Sequence, residues 1–439
     1  MKLNELDPAL YGARRARLAQ AMQGGIAVVP TAPERIRNRD THFPYRYDSH
    51  FYYLTGFPEP EAVVVIVAGA RPRSLLFCRE KNEERETWDG FRFGPKGAQE
   101  RFGFDEAHPI GELDARLAGL LADQPALHYP IGAEAEWDVR AMGWLNAVRA
   151  QARTGVGAPE RLQDVRALVD EMRLVKDTHE LGLMRRAAQI SAGAHRRAIR
   201  AARPGRFEYE LEAELLYEFR RCGAQFPAYW PIVAGGANAC VLHYVSNEDV
   251  LRDGELVLID AGCELAGYAS DITRCFPVGD RFSAAQREVY DIVLAAQAAA
   301  IGKVRAGNGW NEPHDAAVRV LAQGMLDLQL IKGSLDEALE KESYKRFYMH
   351  RTGHWLGLDV HDAGDYKRAG KWRTLAPGMV LTVEPGLYIR ADDDVPKALR
   401  GIGIRIEDDA LVTAAGCEII TAETPKSIAD IEALKRDAG

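Results

Sequence analysis

Four acidic residues sit where a soluble chain would ordinarily place none, against runs of β-branched and aliphatic side chains. Asp260 ends the run Leu256-Val257-Leu258-Ile259, and Asp271 follows eleven positions later in YASDITR. Glu384 closes GMVLTVE, and Glu407 closes GIGIRIE. An acid at the end of a buried strand is costly unless a cation or a hydrogen-bond donor compensates it. A fold for this chain must therefore supply that compensation. ELVLIDAGCELAGYASDITRCFPVG, residues 255–279, reads as a β-hairpin. Asp260 ends its first strand and Asp271 sits in the return strand, so pairing brings both carboxylates to one edge. Period-2 alternation then puts Gly403, Arg405 and Glu407 on one strand face, with Ile404 and Ile406 on the other, and pairs Thr382 with Glu384 likewise.

Imidazoles accompany these acids. Three of the eleven histidines fall in HRTGHWLGLDVHD, residues 350–362. His350 and His354 have the spacing of the two histidines in HExxH, but Arg351 stands where that motif has its glutamate. Gly353 and Gly357 weaken a helix, so the segment reads as a loop presenting imidazoles. Oxygen-rich ligation with a single imidazole suits a hard or borderline divalent ion such as manganese. Four carboxylates balance two such ions, whereas one ion would leave two charges uncompensated. A dinuclear site is expected, with metals roughly 3.5 to 4 Å apart bridged by a water or hydroxide, and its natural reaction is hydrolysis of an amide or ester. His243, in LHY, and His361 are free to move a proton to the leaving nitrogen or to stabilise the oxyanion.

The 439 residues, 47% hydrophobic and 27% charged, suffice for two or three domains. A net charge of -8 gives no broad electrostatic footprint for nucleic acid. Six scattered cysteines without a C-x-x-C pair argue for reduced thiols in a cytoplasm. The charged N-terminus has no signal-type apolar core, and apolar stretches such as 62–70 are too short to cross a bilayer, so no membrane association is expected. Strand patterns at IAVVP, EAVVVIVAG and SLLFCRE, with helical patterns at Ala9–Met22, Glu112–Leu121, Trp137–Arg149 and around Gln163–Met172, make residues 1–173 an α/β domain. Residues 172–202 predict one long helix or two in succession. Residues 174–439, with helices at Glu208–Arg221, Ala284–Arg305 and Glu312–Leu328 and strand-rich Pro231–Tyr244, predict an α+β domain.

In order and local context, Asp260, Asp271, His354, Glu384 and Glu407, set in YASDITR, GHWLGLDVHD, TVEPGLY and IRIEDD, resemble the ligand series of the pita-bread metallopeptidases. That family includes methionine aminopeptidase, prolidase and aminopeptidase P. The resemblance covers essentially the whole chain, and MRLVKDTHEL, GGANACVLHY and DSHFYYLTGF are most similar to aminopeptidase P. It implies a C-terminal pita-bread (creatinase/methionine aminopeptidase-like) catalytic domain with an internal pseudo-twofold, preceded by a creatinase-type N-terminal domain that serves oligomerisation and substrate access. It further implies two manganese ions, Asp260 on one, His354 and Glu384 on the other, with Asp271 and Glu407 bridging. Glu384 would be the base, His243 and His361 would assist the leaving nitrogen and the intermediate, and His350 and Arg405 would line the substrate pocket. Tyr229 and Trp230 are candidates for holding a proline ring, against the plainer reading as core aromatics. Trp88, in ETWDGFRFG, resembles a position that reaches a neighbouring subunit's site.

The implied reaction removes an N-terminal residue from peptides with proline second, in a homo-oligomer, dimer or tetramer. Prolidase, which cleaves dipeptides, is the nearest alternative, and a non-catalytic pita-bread partner-binding protein a distant one. Many relatives carry Gly after the first histidine of the cluster, where this chain has Arg351-Thr352.

Overall fold

The computed structural model describes residues 7–437. The chain divides into two compact units, with the boundary between Arg173 and Leu174.

In the first unit a six-stranded mixed sheet runs, edge to edge, Glu106–Pro109, Arg73–Cys78, Val63–Val67, Ile26–Pro30, Ala126–Tyr129 and Arg161–Asp164. Ile26, Val28, Val63, Val65, Leu75 and Phe77 point to one face, as period-2 alternation requires, and pack there with Leu113, Leu117 and Leu121 of one helix and Leu145 and Val148 of another. The Gln163–Met172 expectation needs correction: Gln163 and Asp164 belong to an edge strand that pairs with His128 and Tyr129, and the helix begins only at Arg166. Sheet pairing overrode a local helical pattern.

The 172–202 segment, which spans the boundary, is two helices. The first ends at Leu174, and Asp177 starts the second, Thr178–Ala201, with a capping box closed by Glu180. The helices Glu208–Arg221, Ala284–Ile301 and Glu312–Asp327 follow. The second of these stops at Ile301 rather than Arg305, where Gly302 caps it. Two three-stranded antiparallel sheets carry the acids. One has Leu256–Asp260 at its centre, flanked by Ile232–Gly235 and Thr273–Pro277, and the other joins Val380–Val383, Asp408–Val412 and Cys417–Ile419. The expected hairpin is present, with Asp260 opposite Thr273, but an excursion containing the strands Cys263–Leu265 and Tyr268–Ala269 replaces a simple turn. Asp271 thus lies just before the return strand, not in it. Only Ile232–Gly235 of the strand-rich 231–244 stretch forms a strand. Gly236, at φ +54°, turns the chain into a 3-10 helix over Gly236–Cys240. No helix among the described residues is long and apolar enough to cross a membrane.

Candidate metal centre

Strand ends deliver the acids to one place. Asp260 finishes the Leu256–Asp260 strand, Glu384 follows Val380–Val383, and Glu407 falls between Ile402–Arg405 and Asp408–Val412. Because side chains alternate along a strand, the aliphatic neighbours of each acid are committed to the core while the acid faces the opposite way. The 350–362 segment is a loop without helix, as its glycines predict. It is pinned by backbone bonds to the neighbouring strand: Glu384 N–H donates to Thr352 O at 2.8 Å and Thr382 N–H to His354 O at 2.9 Å. The approach at Gly353 is so close that a Cβ would lie 2.1 Å from Thr382 O.

These segments enclose a cavity of about 860 Å³. Asp260, Asp271, His354, Glu384 and Glu407 all line it, as do His243, His361, His350, Arg405 and Tyr229. Trp88 does not belong to this group: it lies in the helix Glu83–Asp89 of the first unit and is 81% exposed. Within the cavity Asp271, His354 and Glu407 each place one ligand atom within 4.8 Å of the others. His354 Nε2 is 3.5 Å from Asp271 Oδ2 and 3.7 Å from Glu384 Oε1. Asp260 instead accepts hydrogen bonds from Arg405 Nη2, at 2.6 Å, and from the Tyr229 hydroxyl, at 2.6 Å.

The electrostatics say what this cluster lacks. Burial first, and then Asp271 and Glu384, raise the Glu407 carboxyl well above its ordinary range. Burial pushes Glu384 up to about 7. Burial and the charge of Asp260 raise Asp271 as well. Burial opposes charging of His354, yet Asp271 and Glu384 overcome it and lift the imidazole to about 9. The two partners thus disagree, since an isolated Asp271–His354 ion pair would lower the acid. The second aspartate and the loss of water account for the difference. Asp260 alone is held below the usual range, because Arg405 and the hydrogen bond from Tyr229 outweigh its burial.

Arg405 and Tyr229 compensate Asp260, but Asp271, Glu384 and Glu407 have only His354 as a neighbouring cation, and protons make up the remainder. The Tyr229 hydroxyl makes the point, for it contacts Oδ1 of both Asp260 and Asp271 but has one hydrogen to give. The second contact needs a proton on a carboxyl. Bound dications would replace such protons, and a donor set of carboxylate oxygens with one imidazole nitrogen fits hard or borderline divalent ions.

Around the acids, His361 stacks edge-on against His354, ring centroids 4.4 Å apart. His350 Nε2 lies 2.8 Å from the Tyr388 hydroxyl, which also accepts from Arg405 Nη1 at 3.0 Å. Arg405 can only donate, so the Tyr388 proton points to His350 Nε2 and the remaining hydrogen of His350 sits on Nδ1, donated to Arg351 O at 2.7 Å. Burial and Arg405 accordingly lower His350 to about 3. His243, exposed in a turn, also lines the cavity.

Sequence reading passed over several participants. Thr273 Oγ1 donates to Glu407 Oε2 at 2.6 Å. Asp409 Oδ2 accepts from Asp271 N–H at 3.1 Å, and burial with Asp271 raises its carboxyl far above normal. The misfit that marks Glu407 also marks Asp408 and Asp409 in IEDDALV, and could have found them. Nothing local marks Tyr388, or the lining residues Trp310, Tyr366 and Trp372. Tyr229 is no core filler, since its hydroxyl hydrogen-bonds with both Asp260 and Asp271.

Comparison with known proteins places this centre. The model of metallopeptidase family M24 matches residues 182–414, and that of the aminopeptidase P N-terminal domain matches residues 11–128. The chain is 45% identical to the Xaa-Pro aminopeptidase of Escherichia coli over 98% of both chains, and 45% identical to that of Haemophilus influenzae over 96% of both. Among solved structures it is similar to the Pseudomonas aeruginosa aminopeptidase PepP, at 50% identity and a TM-score of 0.97 over 99% of each chain. It is similar also to aminopeptidase P from Escherichia coli with the inhibitor Pro-Leu, at 44% identity and a TM-score of 0.96, again over 99% of each chain. An N-terminal aminopeptidase P domain followed by a pita-bread domain, with a carboxylate-rich pocket in the second, makes this chain a member of metallopeptidase family M24, in its aminopeptidase P branch.

Proposed function

We propose that the chain is an Xaa-Pro aminopeptidase, a metallopeptidase that hydrolyses the peptide bond between any N-terminal residue and a proline in second position. The observation that carries this reading is the convergence of Asp260, Asp271, His354, Glu384 and Glu407 with His243, His350, His361 and Arg405 on one cavity, in a chain whose full-length relatives are Xaa-Pro aminopeptidases. Asp260 would hold one divalent ion, His354 and Glu384 the other, and Asp271 and Glu407 both. The ions, which we take to be manganese, would polarise the scissile carbonyl and activate a water.

The chain's own groups do the rest. Glu384, half-buried beside His354, takes a proton and returns it. His243 and His361, outside the ligand set, deliver a proton to the leaving prolyl nitrogen and hydrogen-bond the developing oxyanion. Tyr229 orients Asp260 and Asp271. His350 and Arg405, held by Tyr388, wall the space for the pyrrolidine ring. An Xaa-Pro bond is tertiary and has no amide N–H, so enzymes that grip an extended backbone fail on it, whereas a rigid imidazole and guanidinium wall accepts it. We place the enzyme in the cytoplasm as a homo-oligomer, dimer or tetramer, in which Trp88 of the first unit serves a neighbouring copy's site.

A peptide panel tests this. With manganese, the protein is expected to free the first residue of Ala-Pro-Ala, to leave Ala-Ala-Ala intact and to lose activity on chelation. Cleavage confined to Xaa-Pro dipeptides would assign it to prolidase instead, and turnover unaffected by a chelator would refute the metal centre.

A further inference from the structure

Arg351 directly follows His350 and lines the cavity together with Trp372. Trp372, 38% exposed, belongs to a two-stranded ribbon, Lys367–Arg368 paired with Lys371–Trp372. Its ring carries two cations: Arg351 Cζ lies 5.1 Å from the ring centroid and Lys367 Nζ 3.9 Å. Among the described residues neither cation forms an ion pair with a carboxylate. Arg351 Nη2 donates to Asn311 Oδ1. Asn311 turns its amide nitrogen to Asp315 Oδ1 at 2.6 Å, which keeps that acid one amide away from the guanidinium. Arg368, in the same ribbon, lies 3.9 Å from Asp365. Two cations sharing one ring attract its π-cloud but repel each other, and an anion between them relieves that repulsion. This positive rim runs against a chain of net charge -8.

We propose that Arg351, Lys367 and Trp372 form a carboxylate subsite at the mouth of the cavity, which takes an anionic group of the peptide downstream of the proline. The proposal rests on the Xaa-Pro reading, which places proline beside His350, one residue from Arg351. The carboxylate could be the free C-terminus of a tripeptide or an acidic side chain at the third position. Arg351 offers a planar fork suited to such a group, and the Trp372 face holds the fork in place.

The test compares kcat/KM on four peptides, Ala-Pro-Ala as free acid and as amide, and the amides of Ala-Pro-Glu and Ala-Pro-Gln. The free acid is expected to exceed its amide, or Glu to exceed Gln, by about 5- to 20-fold, the range of a charge-assisted contact partly screened by solvent. The preference should shrink at high ionic strength. It should vanish in Arg351→Gln combined with Lys367→Gln and survive in Arg351→Lys. Each ratio is read within one protein, so a general loss of activity does not enter it. Which pair shows the preference identifies the source of the carboxylate, and either supports the subsite. Equal turnover of all four peptides by the parent, or a ratio that persists in the double variant, overturns the subsite and leaves the Xaa-Pro reading standing. Failure to cleave any of the four overturns the Xaa-Pro reading itself.

Discussion

Replacing Asp408 by Asn should destabilise the second unit severely, although the side chain keeps its shape. Asp408 Oδ1 accepts from Arg274 Nη2 at 2.7 Å and from Thr421 Oγ1 at 2.9 Å, while Oδ2 accepts from Lys426 Nζ at 2.6 Å and Gln297 Nε2 at 3.1 Å. The Arg274 and Asp408 side chains are both 0% exposed. Lys426 is a third exposed and can recover water, so the cost concentrates on Arg274, left charged in the core. Removing one partner of such a pair costs about 3–5 kcal/mol. At about 2–4 °C per kcal/mol for a domain of comparable size, the melting temperature should fall by roughly 6 to 20 °C. Burial pushes the Asp408 carboxyl up, but Arg274 and Lys426 pull it below the usual carboxylate range. Its contribution is therefore present above the unfolded value of about 3.9 and is lost as pH falls through the lower folded value. Thermal unfolding of parent and variant at a series of pH values should show a constant gap near neutrality that closes only in acid. A gap of less than about 1 kcal/mol at neutral pH, or one that widens on acidification, would refute the reasoning. A companion variant, Asp408→Leu with Arg274→Met, should be less damaging than Asp408→Asn, because it removes both charges.

Two further outcomes are expected. Gly353→Ala must drive its Cβ against Thr382 O, so it should shift His354 away from Asp271 and Glu407 and weaken metal binding by about 10-fold or more, as read by titration of the chelator-stripped protein. Unchanged affinity would show that the strand yields without cost. Metal uptake between about pH 7 and 9 should release at least one proton per chain, because His354 near 9 must become neutral to coordinate and Glu384 near 7 must ionise. Calorimetry in buffers of different ionisation heat measures that number, which should decline above the His354 value, and a result of zero contradicts the cluster's electrostatics.

Much of the site was legible because carboxylates in β-branched runs are anomalies that only compensation explains, and period-2 alternation told which neighbours face away. The loop character of 350–362 followed from Gly353 and Gly357. Features set by tertiary contact were hidden. Tyr229 reads in sequence as a candidate for the proline ring or as core, and only the meeting of Asp260 and Asp271 in the folded chain shows what its hydroxyl serves. The hairpin pattern of 255–279 puts Asp271 in the return strand, yet the 263–269 excursion leaves it two residues short of that strand. Gln163 has helical neighbours on one side and was captured by a sheet edge on the other. Trp88 carries no physical signal within one chain, since an exposed indole in a short helix has many explanations.

The acids come from both halves of the second unit, and Thr273 stitches them together by receiving Glu407 N–H at 3.1 Å and donating to its carboxylate. A ribosome that has delivered Asp260 and Asp271 has so far made nothing able to retain a cation. The last of the five, Glu407, is made with the strands Ile402–Arg405 and Asp408–Val412, so a product terminated before them lacks both that ligand and its tie to Thr273.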